Sequence, residues 1–107
     1  MARVLTLLYS LLTGALAWPA GLILRRHPNF AGTISGRLGL TLPEPPGTGP
    51  VLWVHAASVG EVKAAAGLIR ALKGACPGVA VCLSSMTATG RQVAAGVPGV
   101  DLVFPLP

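Results

Sequence analysis

At 107 residues the chain has room for one small domain at most. With 52% hydrophobic and only 10% charged residues it is too apolar for a disordered segment, and more apolar than a free-standing soluble domain, where roughly 25% charged is usual. The formal charge is +5, yet the eight basic residues are too few and too scattered for a nucleic-acid surface, and no aromatic residues interleave with them; an anionic lipid or ligand suits the charge better.

The chain begins with an apolar run. Between Arg3 and Arg25, the 21 residues from Val4 to Leu24 carry no charge, enough to cross a bilayer, which takes about 20 apolar residues. Ser10, Thr13, Gly14, Pro19 and Gly21 interrupt the run, and Pro19 is expected to kink or end a helix there. Arg25-Arg26-His27 come at once after it, against Arg3 and the amino terminus ahead of the run, so the positive-inside rule puts the chain beyond Arg25 on the cytoplasmic side. Tyr9 and Trp18 suit membrane interfaces. Ala15-Leu16-Ala17 is similar to a signal-peptidase site, but the arginine pair downstream opposes export. A helix lying in the interface, or a core helix, is the other reading. The expected organisation is a membrane anchor helix over residues 1–26, a Pro/Gly-rich connecting segment over 27–50, and the first part of an α/β domain over 51–107. In the connecting segment Pro43, Pro45, Pro46, Pro50, Gly47 and Gly49 forbid regular structure, with Arg37-Leu38-Gly39-Leu40 as a small island.

From Val51 the pattern becomes regular. Val51 to Ala56 reads as a short strand buried on both faces. Residues 62–73 place Val62, Ala65, Ala66, Leu68, Ile69 and Leu72 on one side of a helix, with Gly74 and Pro77-Gly78 to stop it. Val79 to Ser85 is a second buried strand, Met86 to Gly90 a polar loop, Arg91 to Ala95 the start of a short helix, and Val100 to Phe104 a third strand. The order βαβαβ predicts a parallel sheet with helical crossovers, an incomplete Rossmann-like α/β fold preceded by an apolar helix. Three strands with nothing after them read as an unfinished sheet, and the chain as the front part of a larger protein.

That topology turns two loops into one candidate site. Right-handed crossovers between neighbouring strands bring the loops after strands one and two to the same carboxyl edge, where open α/β sheets bind ligands. Ser58, Gly60 and Glu61 lie in the first loop, and Thr87, Thr89 and Gly90 in the second. The glycines allow close backbone approach, the hydroxyls offer hydrogen bonds, and the helix starts offer free N–H groups that suit anions. Ordinary helix caps are the competing reading. Neither loop carries a dinucleotide or NTP phosphate fingerprint. Glu61 is one of only three acids in the chain, set at a helix mouth, where it could equally do no more than complement the helix dipole. His55, at the end of a buried strand, reads first as a hydrogen-bonded core histidine. Cys76 and Cys82 are too few and wrongly grouped for zinc, no disulfide is expected, and no acidic or histidine cluster suggests another metal or a cofactor.

Several segments together resemble one family. They are the apolar start with Leu8-Tyr9, Arg37-Leu38-Gly39, Trp53-Val54-His55-Ala56-Ala57-Ser58-Val59-Gly60-Glu61, Leu68-Ile69-Arg70-Ala71-Leu72, and Ser84-Ser85-Met86-Thr87-Ala88-Thr89-Gly90. In this order and spacing the chain is similar to the amino-terminal part of the 3-deoxy-D-manno-octulosonic acid (Kdo) transferases that act on the lipid A precursor. Phe104-Pro105-Leu106-Pro107 resembles the family's Leu-Pro that precedes a further acid. The pair of motifs at 55–61 and 86–90 carries the specificity. Two positions depart from the family pattern. Gly36 stands where a glutamate usually precedes the Arg-Leu-Gly island, and Ser84-Ser85 replace a threonine pair.

The resemblance implies the start of the N-terminal domain of a GT-B glycosyltransferase, the half that takes the acceptor lipid, while CMP-Kdo binds the C-terminal domain. It implies Glu61 as general base of an inverting transfer, with Ser58, Gly60, Arg37, Thr87, Thr89 and Gly90 as substrate-binding residues. Membrane lipid is the remaining implied partner, and the implied location is the bacterial inner membrane with the catalytic part on the cytoplasmic face. A non-catalytic, membrane-anchored fragment that keeps only the binding edge is the alternative.

Overall fold

The alternation of short apolar runs with helical periodicity produces a three-stranded parallel sheet in the computed structural model, which describes residues 1–107. The elements are α1 (Ala2–Leu24), α2 (Ile34–Arg37), β1 (Val51–His55), α3 (Val59–Ala75), β2 (Ala80–Ser85), α4 (Ala88–Ala95) and β3 (Leu102–Pro105). The strands lie in the order β1-β2-β3, with Val54 opposite Leu83 and Leu83 opposite Val103. This is the α/β, Rossmann-like start that the residue pattern predicts.

Consecutive right-handed crossovers laid in one direction put α3 and α4 on the same face of the sheet. There Val62 and Ile69 of α3 and Ala94 of α4 meet Ala56, Val81 and Leu83, and all six are buried. Each of the larger side chains contributes about 1.5–3 kcal/mol by leaving water. Val54, Ala65, Val93 and Val103 pack around them, half-buried.

The other face has no helix, and this corrects the expectation for β1. That strand is not buried on both faces: Val51, Trp53 and His55 are exposed, Trp53 by 55%. Only the central strand β2 is buried along nearly its whole length. On its helix-free side the cover is aromatic. The rings of Trp53 and Phe104 stand 5.6 Å apart at 43° from the two outer strands, closing over Cys82 and Ser84 between them. Leu68 is a second correction: it is exposed. Six residues after Val62, it sits about 120° around the helix from it, off the buried stripe.

Helix α1 is the apolar helix that the sequence predicts, and it runs through Pro19 to Leu24, so of the two effects expected of that proline it does not end the helix. A proline removes one i→i−4 hydrogen bond, and the apolar turns on both sides continue the helix. None of its residues is buried, and it is long and apolar enough to cross a membrane. Its two threonines are satisfied locally: Thr6 Oγ1 donates to the Ala2 carbonyl (2.9 Å) and Thr13 Oγ1 to the Tyr9 carbonyl (2.8 Å).

At the amino edge of the sheet, Lys73 Nζ and the Val81 N–H both donate to Asp101 Oδ2, at 2.6 and 2.7 Å. The Lys73 hydrogen bond first, and the Val81 N–H second, hold this carboxyl below the usual carboxylate range. A group bound more tightly as its anion stabilises the fold fully above its unfolded pKa, about 3.9 for Asp. That contribution is lost as pH falls through the lower folded value. Thermal melts should therefore show stability dropping below about pH 4, and Asp101→Asn should be less stable at neutral pH with a shallower acid dependence. Partial exposure of both side chains keeps the effect small.

Candidate functional site

The loops after β1 and β2 lie side by side at the carboxyl edge, joined directly by Ser85 Oγ donating to the Ala57 carbonyl (3.3 Å). Their helix starts are built differently, although each has a hydroxyl residue at the N-cap.

Helix α4 closes its own start. Thr87 Oγ1 accepts from the Gly90 N–H (2.9 Å), and Asn29 Oδ1 accepts from the Ala88 N–H (3.2 Å). Thr89 Oγ1 donates to Thr87 Oγ1 (3.4 Å). Gly90 is buried under this cap, and a Cβ there would run into Ser85 Oγ and come within 2.8 Å of Thr87 Oγ1. Thr87 and Gly90 are thus used by the fold, as the helix-cap reading expects.

Helix α3 leaves its start open. Ser58 is the N-cap in an extended conformation, yet its hydroxyl makes no capping bond. The N–H groups of Val59, Gly60 and Glu61 have no acceptor within the chain. Gly60 faces free space: a Cβ would meet only Ser58 Oγ, at 3.9 Å. The Ala57 N–H donates to Glu61 Oε2 at 2.6 Å, so the side chain reaches back over the loop as in a capping box. That bond fixes one carboxylate oxygen, while the exposed side chain leaves the other without a partner. The result is a fixed carboxylate with a free oxygen, beside three unpaired N–H donors and a free hydroxyl. Since nothing in the chain needs Gly60 to lack a side chain, Gly60→Ala should melt no lower than the parent. A gain of about 0.5–1 kcal/mol is expected from helix propensity.

Arg37 joins the second loop. Its guanidinium stacks over the Phe30 ring at 4.5 Å and donates from Nε to Thr33 Oγ1 (3.1 Å) and from Nη2 to the Asn29 (3.2 Å) and Met86 carbonyls. Arg91 reaches the same place through long contacts to the Ser85, Met86 and Asn29 carbonyls (3.4–3.5 Å). Burial first, and the Arg91 charge second, lower the proton affinity of Arg37; burial does the same for Arg91. Both stay charged at neutral pH. Two cations therefore sit together at the loop, and the chain's one ion pair lies elsewhere, between Lys73 and Asp101.

His55 is exposed rather than a core histidine, and its ring is nonetheless held. The buried hydroxyl of Ser84 lies 2.8 Å from Trp53 Nε1 and 2.9 Å from His55 Nδ1. The indole can only donate, so Ser84 Oγ accepts from it, and the same oxygen holds the imidazole through Nδ1.

Ser58, Gly60 and Glu61 thus come together at one open helix start. Thr87, Thr89 and Gly90 form the adjoining, self-capped start of α4, which begins at Ala88 where the sequence pattern puts a loop to Gly90, and Arg37 reaches it from the end of α2. Asn29, Arg91 and the Trp53–Ser84–His55 chain escape the sequence reading. Asn29 caps a helix 59 positions away, and no local pattern marks it.

Residues 32–107 match the family described as 3-Deoxy-D-manno-octulosonic-acid transferase (kdotransferase). The 3-deoxy-D-manno-octulosonic acid transferase of Chlamydia pneumoniae is 38% identical over 71 residues, 66% of this chain and 16% of that protein. The enzyme of the same name from Chlamydophila psittaci is 35% identical over 66 residues, 62% of this chain and 15% of that protein. The chain therefore spans about one sixth of the length of the curated relatives it matches. No solved structure matches it. Since the match takes in well over half of the chain, including both loops of the carboxyl edge, the chain belongs to the Kdo transferase family of glycosyltransferases.

Proposed function

We propose that this chain forms the acceptor side of a Kdo transferase, which moves Kdo from CMP-Kdo to the lipid A precursor with inversion at the anomeric carbon. The observation that carries the reading is the Glu61 carboxylate, with one oxygen tied to the Ala57 N–H and the other free at an open helix start. Glu61 removes the proton of the acceptor hydroxyl as that oxygen bonds to the anomeric carbon of Kdo, while the bond to CMP breaks and CMP leaves with the electron pair. The pinned oxygen fixes the carboxylate's direction, and the free one takes the proton. Ser58 and the unpaired N–H groups of α3 hold acceptor oxygens. The Arg37–Arg91 pair, with Thr87, Thr89 and Gly90 shaping its loop, draws the anionic acceptor to this edge. Donor binding belongs to the remaining five-sixths of the family's length.

Helix α1 anchors the protein in the bacterial inner membrane, with Arg25 and Arg26 holding the catalytic part at the cytoplasmic face. There the lipid acceptor and the open α3 start share one surface.

The test is transfer of Kdo from CMP-Kdo to lipid A precursor by a family-length protein carrying this segment. Incorporation of Kdo into the lipid is expected. Failure of a folded, CMP-Kdo-binding protein to transfer it would favour a membrane-anchored segment that keeps a binding edge without catalysis.

A further inference from the structure

Helix α1 meets the segment after it along a groove of about 390 Å³. Ala17, Trp18 and Leu22 form one wall, and Ile34, Leu38 and Leu40 form the other, with Arg25 at the end. Gly21 lets the walls close up, since a Cβ there would lie 3.4 Å from Ile34 Cγ2. We propose that this groove seats an acyl chain of an anionic bilayer phospholipid, with Arg25 holding the phosphate. The proposal rests on α1 being the membrane anchor, and it adds a lipid site where α1 leaves the bilayer.

Three observations point to that occupant. The first is position. The groove spans the last two turns of a helix long and apolar enough to cross a membrane, at the level where its arginines begin. Trp18 lines the groove while 77% exposed, about 10 Å of helix from Arg25, where it would lie beside an acyl chain whose phosphate Arg25 holds. The second is apolar surface beyond the helix itself. Leu38 and Leu40 are 49 and 75% exposed on a segment that the membrane helix does not include. Contiguous with the groove, they form the kind of apolar patch that marks a binding surface. The third is charge. All three acids of the chain lie at position 44 or beyond, whereas residues 1–43 carry Arg3, Arg25, Arg26 and Arg37. Arg37 is committed to carbonyls of the second loop, but Arg25 makes no side-chain hydrogen bond or ion pair. An apolar slot ending in an unpaired guanidinium complements an amphiphile with an anionic head. A second copy of this chain would instead set Arg25 against a surface of the same sign.

The test uses the chain in vesicles of phosphatidylcholine with a minor fraction of phosphatidylglycerol, with bromine on the acyl chains of one lipid or the other. The Trp18 signal is the quenching that disappears in Trp18→Phe. Brominated phosphatidylglycerol should quench Trp18 roughly fivefold more effectively than brominated phosphatidylcholine at equal mole fraction. That factor corresponds to about 1 kcal/mol per basic residue at an anionic surface. Arg25→Gln should abolish the preference, and Gly21→Leu, which fills the slot and suits a helix, should reduce quenching by both lipids. If the chain floats with vesicles but Trp18 shows no preference between lipids, the groove proposal fails while the anchor stands. Quenching that falls as the chain associates with itself would assign the groove to a second copy and overturn the proposal. If the chain does not float with vesicles at all, the anchor reading fails and takes the lipid site with it.

Discussion

Gly90→Ala should lower the melting temperature of the chain by around 10 °C. The position is buried, and an added methyl group runs into Ser85 and into the Thr87 hydroxyl that caps α4. Neither neighbour moves freely. Ser85 is fully buried and bonded to the Ala57 carbonyl, and Thr87 Oγ1 is held by the Gly90 N–H itself. Overpacking of this kind costs about 1–3 kcal/mol, and two close, buried and bonded neighbours put this site at the upper end, against a helix-propensity gain of under about 1 kcal/mol for alanine over glycine. A net loss near 2 kcal/mol corresponds to roughly 4–8 °C per kcal/mol in a domain of this size. Circular-dichroism melts of Gly90→Ala and Gly60→Ala check the contrast. Equal melting temperatures for the two variants would contradict the division between a closed α4 start and an open α3 start.

Glu61→Gln should leave the fold intact and remove transfer. A glutamine carbonyl oxygen at the same position still accepts from the Ala57 N–H, so the loop keeps the bond that shapes it. The amide has no basic oxygen to take the acceptor proton. Loss of a positioned general base lowers the rate by about 10²–10⁴-fold. In a family-length protein carrying this segment, steady-state transfer should fall by that factor while the melting temperature and CMP-Kdo binding stay close to the parent. Glu61→Ala should lose activity too, and should also loosen the loop, because the Ala57 N–H then has no partner.

The sheet is legible in the residues because its strands are short, mostly apolar runs, and β2, set off by Pro77-Gly78, is buried along nearly its whole length as that pattern predicts. The burial of β1 is not legible. Val51-Leu52-Trp53-Val54 would suit a two-sided strand, and only the placement of both helices on one face leaves Trp53 in the open. Leu68 fails for a local reason: a small apolar helix tolerates a leucine off the buried stripe without any change in its pattern. At the candidate site, residue types give the position of both loops but not their use. Ser58 and Thr87 are both hydroxyl N-caps, yet only Thr87 spends its oxygen on the helix. Asn29 and Arg91 meet at the second loop across about sixty residues of chain, a contact that composition and periodicity do not carry.

The most direct measurement is the single-turnover rate of Kdo transfer with CMP-Kdo and lipid acceptor both bound beforehand, in a family-length protein carrying this segment with Glu or Gln at position 61. With binding complete before the reaction starts, the rate reports the chemical step alone. The base assignment predicts the same occupancy of both substrates in the two proteins and a chemical step slowed by about 10²–10⁴-fold in Glu61→Gln. Transfer by Glu61→Gln at the parent rate would contradict it and leave the open α3 start as a binding element only.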